Sequence, residues 1–106
     1  MSQLKPYISV IVPVYNGRDF LTKCLDALFS SSYHSFEVLV VNDCSTDDSP
    51  EIAAEKGARV ISTSNRSGPG AARNLAAETA VGEILLFVDA DVVVKPETLE
   101  LVAARF

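Results

Sequence analysis

Two carboxylates one residue apart, Asp89 and Asp91, close the apolar run Ile84-Leu85-Leu86-Phe87-Val88 and precede Val92-Val93-Val94. A carboxylate removed from water needs a proton or a cation, so an acidic pair at the end of a core strand suggests a charged ligand. Residues i and i+2 of an extended chain face the same way, so both side chains are expected to present their oxygens in one direction. Such hard oxygens suit a divalent cation that also holds phosphate. The plainer reading is that one aspartate simply caps the strand or the following helix. Tyr15-Asn16 and Asn42-Asp43 end two further apolar runs in the same manner, and Arg73 is a single cation that could meet an anionic ligand.

Residues so placed need strands behind them. Ile8 to Val14, Phe36 to Val41 or Asn42, Ala58 to Ser62, and a last run from Glu83 to Asp89 read as buried strands. Pro13 demotes the end of the first from regular ladder pairing. Between them, Phe20, Leu21, Cys24, Leu25, Leu28 and Phe29 recur at helical spacing over Arg18 to Phe29, with Asn16 or Gly17 available as a cap. A short helix is expected over Ser49 to Lys56, with Gly57 at its C′ position and Asp47 and Asp48 as charges of the first turn. Another runs from Ala71 to Ala80 after a loop from Thr63 to Gly70. A last helix begins at Lys95-Pro96-Glu97 and shows Leu99, Val102, Ala103 and Phe106 on its apolar side. Continuous apolar strands alternating with helices imply an α/β fold, a mainly parallel sheet covered on both faces, with the first and fourth strands adjacent. Ligands of such sheets gather beyond the strand C-termini, where the three polar clusters lie.

Composition removes several functions. At 106 residues the chain is one domain at most, and 48% apolar content is enough to fold. A formal charge of −5 denies it the basic face that nucleic acid requires. Cys24 and Cys44 lack CxxC spacing and His34 is the only histidine, which argues against zinc. Free thiols are the default in a reducing cytosol, so a cytoplasmic location is expected, at the inner face of a membrane for a full-length protein. No apolar run approaches the ~18 residues of a membrane span, and GxGxxG is missing.

Ile11-Val12-Pro13-Val14-Tyr15-Asn16, Val40-Val41-Asn42-Asp43-Cys44-Ser45-Thr46-Asp47, Gly70-Ala71-Ala72-Arg73-Asn74 and Phe87-Val88-Asp89-Ala90-Asp91 occur in that order. Together they resemble the family 2 glycosyltransferases of the GT-A fold, over roughly residues 7 to 105. The resemblance implies that Pro13, Tyr15 and Asn16 lie where the nucleotide base packs, and that Asp43 hydrogen-bonds a uracil ring. It places Arg73 near the nucleotide. Asp89 and Asp91 match the DxD motif, whose first member faces the ribose and whose last holds Mn²⁺ or Mg²⁺ on the diphosphate. A UDP-sugar is the favoured donor, the acceptor is open, and inversion is implied.

The chain departs from that family's pattern at Cys44, where glycine is frequent, and at Asn42, where a second aspartate is frequent. The family's catalytic base is a carboxylate well downstream of the DxD. Glu97 and Glu100 stand too close to it on a helix, so the chain is expected to be the nucleotide-binding portion of a larger enzyme, inactive by itself. Two other readings stay open. A non-catalytic nucleotide-binding or self-associating module would pair through a bared sheet edge. The DxD followed by Val also resembles the nucleophile motif of haloacid-dehalogenase-type phosphatases, although that motif usually opens its domain. Tyr15 as an ordinary strand-end side chain, Asp43 as a cap of the second helix and Arg73 as a solvated charge are the corresponding plain readings.

Overall fold

A computed structural model describes residues 5–65 and 68–106 of the chain, so Arg66 and Ser67 of the expected 63–70 loop lie outside the described residues. The elements are β1 (Ile8–Val14), α1 (Arg18–Phe29), β2 (Phe36–Asn42), α2 (Ser49–Glu55), β3 (Arg59–Ser62), α3 (Gly68–Thr79), β4 (Ile84–Phe87) and α4 (Thr98–Ala104). The strands form one sheet in the order β3-β2-β1-β4, every pair parallel. β1 and β4 are adjacent, as the alternation implies.

The two faces of the sheet use alternate residues of the same strands. Ile8, Val10, Val12 and Val14 of β1 join Val38 and Val40 of β2 against Leu21, Cys24, Leu25 and Leu28 of α1, Ala53 of α2 and Leu99 of α4. Ile11, Leu39 and Val41 turn the other way and meet Ala72 and Ala76 of α3. Small residues on α3 let that helix lie close on the sheet. Both faces of β1 and β2 are therefore covered, which is why their sequences lack polar alternation.

Several element limits differ from those read in the sequence. α3 begins at Gly68 rather than Ala71, because Gly68 takes φ +86° and turns the chain into the helix. α4 begins at Thr98, not at Pro96: Thr98 Oγ accepts the Lys95 N–H at 3.1 Å, and Lys95 to Glu97 form the turn before it. Phe106, expected on the apolar side of α4, is 80% exposed. β4 stops at Phe87, two residues short of Asp89. Phe20 and Phe29 of α1 stay half-exposed at the ends of an otherwise buried stripe. Gly57 at φ +97° follows α2 as its expected C′ residue.

At the N-terminal edge of the sheet, β4 is seated by polar contacts. Ser9 is fully buried, and its hydroxyl donates to Glu37 Oε2 at 2.5 Å and accepts the Gly82 N–H at 2.8 Å. Glu37 Oε2 also accepts the Val81 N–H at 3.1 Å, and its other oxygen lies 3.5 Å from Arg59 Nη1. A Cβ on Gly82 would come within 2.6 Å of the Ser9 nitrogen and hydroxyl and 2.8 Å of the Tyr7 carbonyl. Gly82→Ala should therefore cost about 1–3 kcal/mol, the usual range for overpacking a rigid site. Equilibrium urea unfolding would measure it, and an unchanged midpoint would show that β1 can move away.

Candidate functional site

Register builds the site. Val14 of β1 stands opposite Asn42 of β2, which stands opposite Ser62 of β3. The next residue of each strand, Tyr15, Asp43 and Thr63, consequently emerges at one level. The ladder carries on one step past the strands: the Asp43 N–H donates to the Val14 carbonyl at 2.9 Å and the Thr63 N–H to the Asn42 carbonyl at 3.0 Å. On the other side Val88 N–H reaches the Ile11 carbonyl at 2.9 Å, so Asp89 leaves the sheet beside Pro13.

A cavity of about 290 Å³ opens there, lined by Pro13, Tyr15, Phe20, Asp43, Arg73 and the Asp89 to Asp91 turn, with Val14 and Ala72 beneath. That volume is at the small end of ligand pockets, which run about 300–1,000 Å³. Of the residues that the family resemblance assigns to nucleotide or metal, Pro13, Tyr15, Asp43, Arg73, Asp89 and Asp91 line it and Asn16 does not. Tyr15 is 44% exposed, its ring at the mouth. Asp43 is 4% exposed, accepts Thr63 Oγ on Oδ1 at 2.8 Å and accepts the Gly68 N–H on Oδ2 at 2.9 Å. Its carboxylate thus ties β3 and α3 together and does not cap α2, whose N-cap position is Asp48. Arg73, in the second turn of α3, is exposed and holds its guanidinium over the Phe87 ring, 6.0 Å from the ring centroid.

The acidic pair reaches the cavity by a route other than the expected one. Asp89 to Val92 is a turn, closed by the Val92 N–H on the Asp89 carbonyl at 3.0 Å, and both carboxylates are exposed. Extended i, i+2 geometry and burial therefore do not bring them together; the turn does, with buried Ala90 as the pivot between them. Cys24 of α1 supports it from below, its Sγ 3.8 Å from the Asp89 carbonyl. Burial first, and then the Asp91 charge, push that thiol up to about 11, so it stays protonated and unreactive. Both cysteines are free thiols, as expected.

Asn16 has a different place. At φ +51° its Oδ1 accepts the Thr46 N–H at 2.7 Å and the Asp47 N–H at 3.3 Å, and its own N–H donates to Ser45 Oγ at 3.0 Å. Asp47 Oδ2 accepts the Arg18 N–H at 3.2 Å while Ser49 Oγ accepts that of Gly17 at 3.0 Å. Gly17 has no side chain with which to cap α1, so the β2–α2 loop supplies the caps from outside the helix. Asp47 Oδ1 in turn accepts Ser49 Oγ at 2.5 Å and its N–H at 2.9 Å. The Ser49 hydroxyl foremost, opposed by burial, and then the N–H groups of Ser49 and Arg18 with the Arg18 charge, hold the Asp47 carboxyl below its ordinary value of 3.8.

Phe20 and Thr63 were not foreseen. Phe20 reads as one more apolar position of α1, and nothing in its spacing separates it from Leu21. Thr63 could have been found by register, one residue beyond the strand position that pairs with Asn42. Among the described residues no group of three or more metal-ligating side chains occurs, and no helix is long and apolar enough to cross a membrane.

The sequence profile described as glycosyl transferase family 2 matches residues 9–106. The chain is 35% identical over 105 residues to the Streptococcus pneumoniae glycosyltransferase GlyG, covering 94% of itself and 34% of that protein. It superposes on the crystal structure of Staphylococcus aureus TarS in complex with UDP-GlcNAc with a TM-score of 0.86 and 41% identity, covering 92% of this chain and 30% of that one. TarS is named as a poly(ribitol-phosphate) beta-N-acetylglucosaminyltransferase. The Pyrobaculum calidifontis mannosyltransferase PcManGT, in complex with GDP-Man and Mn²⁺, gives a TM-score of 0.85 at 30% identity, over 92% of this chain and 31% of that one. The chain thus spans about a third of GlyG and of the PcManGT chain, and 18% of full-length TarS.

The cross-loop caps make a prediction in acid. Because the Asp47 carboxyl titrates lower folded than unfolded, its stabilisation is present above 3.8 and is lost as pH falls through the folded value. Asp47→Asn should therefore be less stable than the parent at pH 6, with the gap narrowing toward pH ~2–3. Thermal melts at the two pH values would read this, and a gap independent of pH would contradict it.

Proposed function

The chain belongs to glycosyl transferase family 2, and from that membership we propose that its cavity binds the nucleotide of a nucleotide-diphosphate sugar, a UDP-sugar foremost, together with Mn²⁺ or Mg²⁺. The observation that carries the reading is convergence: Pro13, Tyr15, Asp43, Arg73, Asp89 and Asp91 come from separate segments and line one cavity at the C-terminal edge of the sheet. Complexes of TarS with UDP-GlcNAc and of PcManGT with GDP-Man and Mn²⁺ support the ligand class.

Each residue has a role that its surroundings favour. Tyr15, partly exposed and lining the cavity, brings an aromatic ring to where a base can pack. Asp43, fixed by Thr63 and Gly68, offers an acceptor to the imide N–H of uracil. Arg73 brings positive charge, held by Phe87. Asp89 and Asp91 fit a hard divalent ion, since both expose carboxylate oxygens to the cavity and leave the remaining coordination positions to phosphate and water. Such an ion supplies Lewis-acid stabilisation of the charge on a departing diphosphate. Asn16 acts on the nucleotide only through Tyr15, by holding the turn that aims it.

In this reading the donor-binding half of an inverting transfer is present, while the group that deprotonates the acceptor is not. Asp43, Asp89 and Asp91 are the acidic residues among those that line the cavity. Glu100 faces away, its Oε1 accepting Ser32 Oγ at 3.0 Å. Titration with UDP, GDP and ADP, each with and without Mn²⁺, tests the binding. Asp91→Asn should weaken Mn²⁺-dependent UDP binding by roughly 1.5–3 kcal/mol, the loss of one charge-assisted contact, and unchanged affinity would remove Asp91 from the site. The purified chain should bind nucleotide without turnover. Steady transfer of sugar to any acceptor, abolished by Asp91→Asn, would show that these residues suffice for catalysis.

A further inference from the structure

Thr63 makes contacts with three consecutive residues, Asn42 at the end of β2 and Asp43 and Cys44 of the loop that follows. Its N–H donates to the Asn42 carbonyl at 3.0 Å and its hydroxyl donates to Asp43 Oδ1 at 2.8 Å. Its carbonyl lies 3.6 Å from Cys44 Sγ, which is in reach of the hydroxyl too, at 3.7 Å. Cys44 is held at φ +63°, a conformation that side chains rarely adopt. The backbone contacts bring the loop up to β3. The hydroxyl does something else: with the Gly68 N–H on Oδ2, it clamps the Asp43 carboxylate from both oxygens and fixes its plane at the cavity wall.

We propose that Thr63 is a positioning residue that sets base preference, by holding Asp43 as an oriented acceptor that favours a base with an imide N–H over one with a lone pair at that position. The inference rests on the proposed nucleotide site and deepens it. Uracil carries a donor at N3, whereas cytosine presents a lone pair there, which a fixed carboxylate opposes. A carboxylate free to swing would gain less from uracil and repel cytosine less. The preference, not merely the affinity, therefore depends on the clamp.

Titrating the chain with UDP and with CDP in the presence of Mn²⁺ reads the preference directly. The parent should favour UDP by about tenfold or more, what one hydrogen bond to a charged group is worth. Thr63→Val, which keeps the shape and removes the hydroxyl, should narrow the ratio to about twofold, and Thr63→Ser should restore it. Thr63→Ala serves if the valine variant fails to fold by circular dichroism. Equal weakening of UDP and CDP, or a ratio unchanged in the valine or alanine variant, would overturn the inference, since Thr63 would then only hold the loop. Asp43→Asn separates the two levels of the argument. Should it leave the preference intact, or should the parent show none, the base-reading role of Asp43 has failed and the role of Thr63 falls with it. Should Asp43→Asn abolish the preference while Thr63→Val preserves it, only the clamp is wrong.

Discussion

The parallel ladder of β1, β2 and β3 is the constraint on which the site depends. Side chains alternate across a strand, so a slip of one residue would exchange the two faces of the sheet and turn Val12 and Val40 away from α1. Packing on both faces forbids that slip, because each face already has its own helices. The same lock that keeps Val14 opposite Asn42 and Asn42 opposite Ser62 makes Tyr15, Asp43 and Thr63 neighbours. Hydrophobic burial, at about 1.5–3 kcal/mol for each large aliphatic side chain, thus specifies the placement of polar groups that contribute nothing to that burial.

Polar residues at the strand ends divide the work between them. Asn16, Ser45, Asp47 and Ser49 spend their hydrogen bonds on one another's backbone and on the start of α1. Asp43, Asp89 and Asp91 are left to face the cavity. Aspartate occurs in both groups, and for Asp47 against Asp43, Asp89 and Asp91 it is proximity to the cavity that differs. A left-handed Asn16 is tolerable because the Thr46 and Asp47 amides hold its side chain in place. That contact couples the turn bearing Tyr15 to the loop bearing Asp43.

How far the site is legible in the sequence follows from this division. Long-period features were readable: α1 runs over the residues its apolar stripe marks, and uninterrupted Val and Ile runs foretell a parallel sheet covered on both faces. Local chain direction was not. The argument from extended geometry at Asp89 and Asp91 fails because β4 ends at Phe87, where the ladder to β1 stops and a turn takes over. α3 starts early because a glycine at positive φ can lead straight into a helix, which composition alone reads as loop. Asn16 stands with Tyr15 in the polar cluster that ends β1, which is why the sequence sets it near the base; its Oδ1 accepts amides about thirty positions away. Cys44 shows the converse: φ +63° gives a physical reason why glycine should be frequent at that position of the family.

Charge favours a cation in the proposed site. Among the described residues, three carboxylates and one guanidinium line the cavity, a formal −2. A nucleoside diphosphate ester brings about two more negative charges, and each like-charge pair at ~5 Å costs about 1–3 kcal/mol between the dielectric of water and that of a protein surface. Arg73, the guanidinium among them, offsets only part of that sum. A divalent ion between the Asp89–Asp91 turn and the phosphates would convert the repulsive pairs into attractive ones. The acidic composition of the chain is therefore no obstacle to an anionic ligand. In the proposed site the two affinities are linked, since the ion relieves the repulsion between the diphosphate and the turn while the phosphates complete the ion's shell.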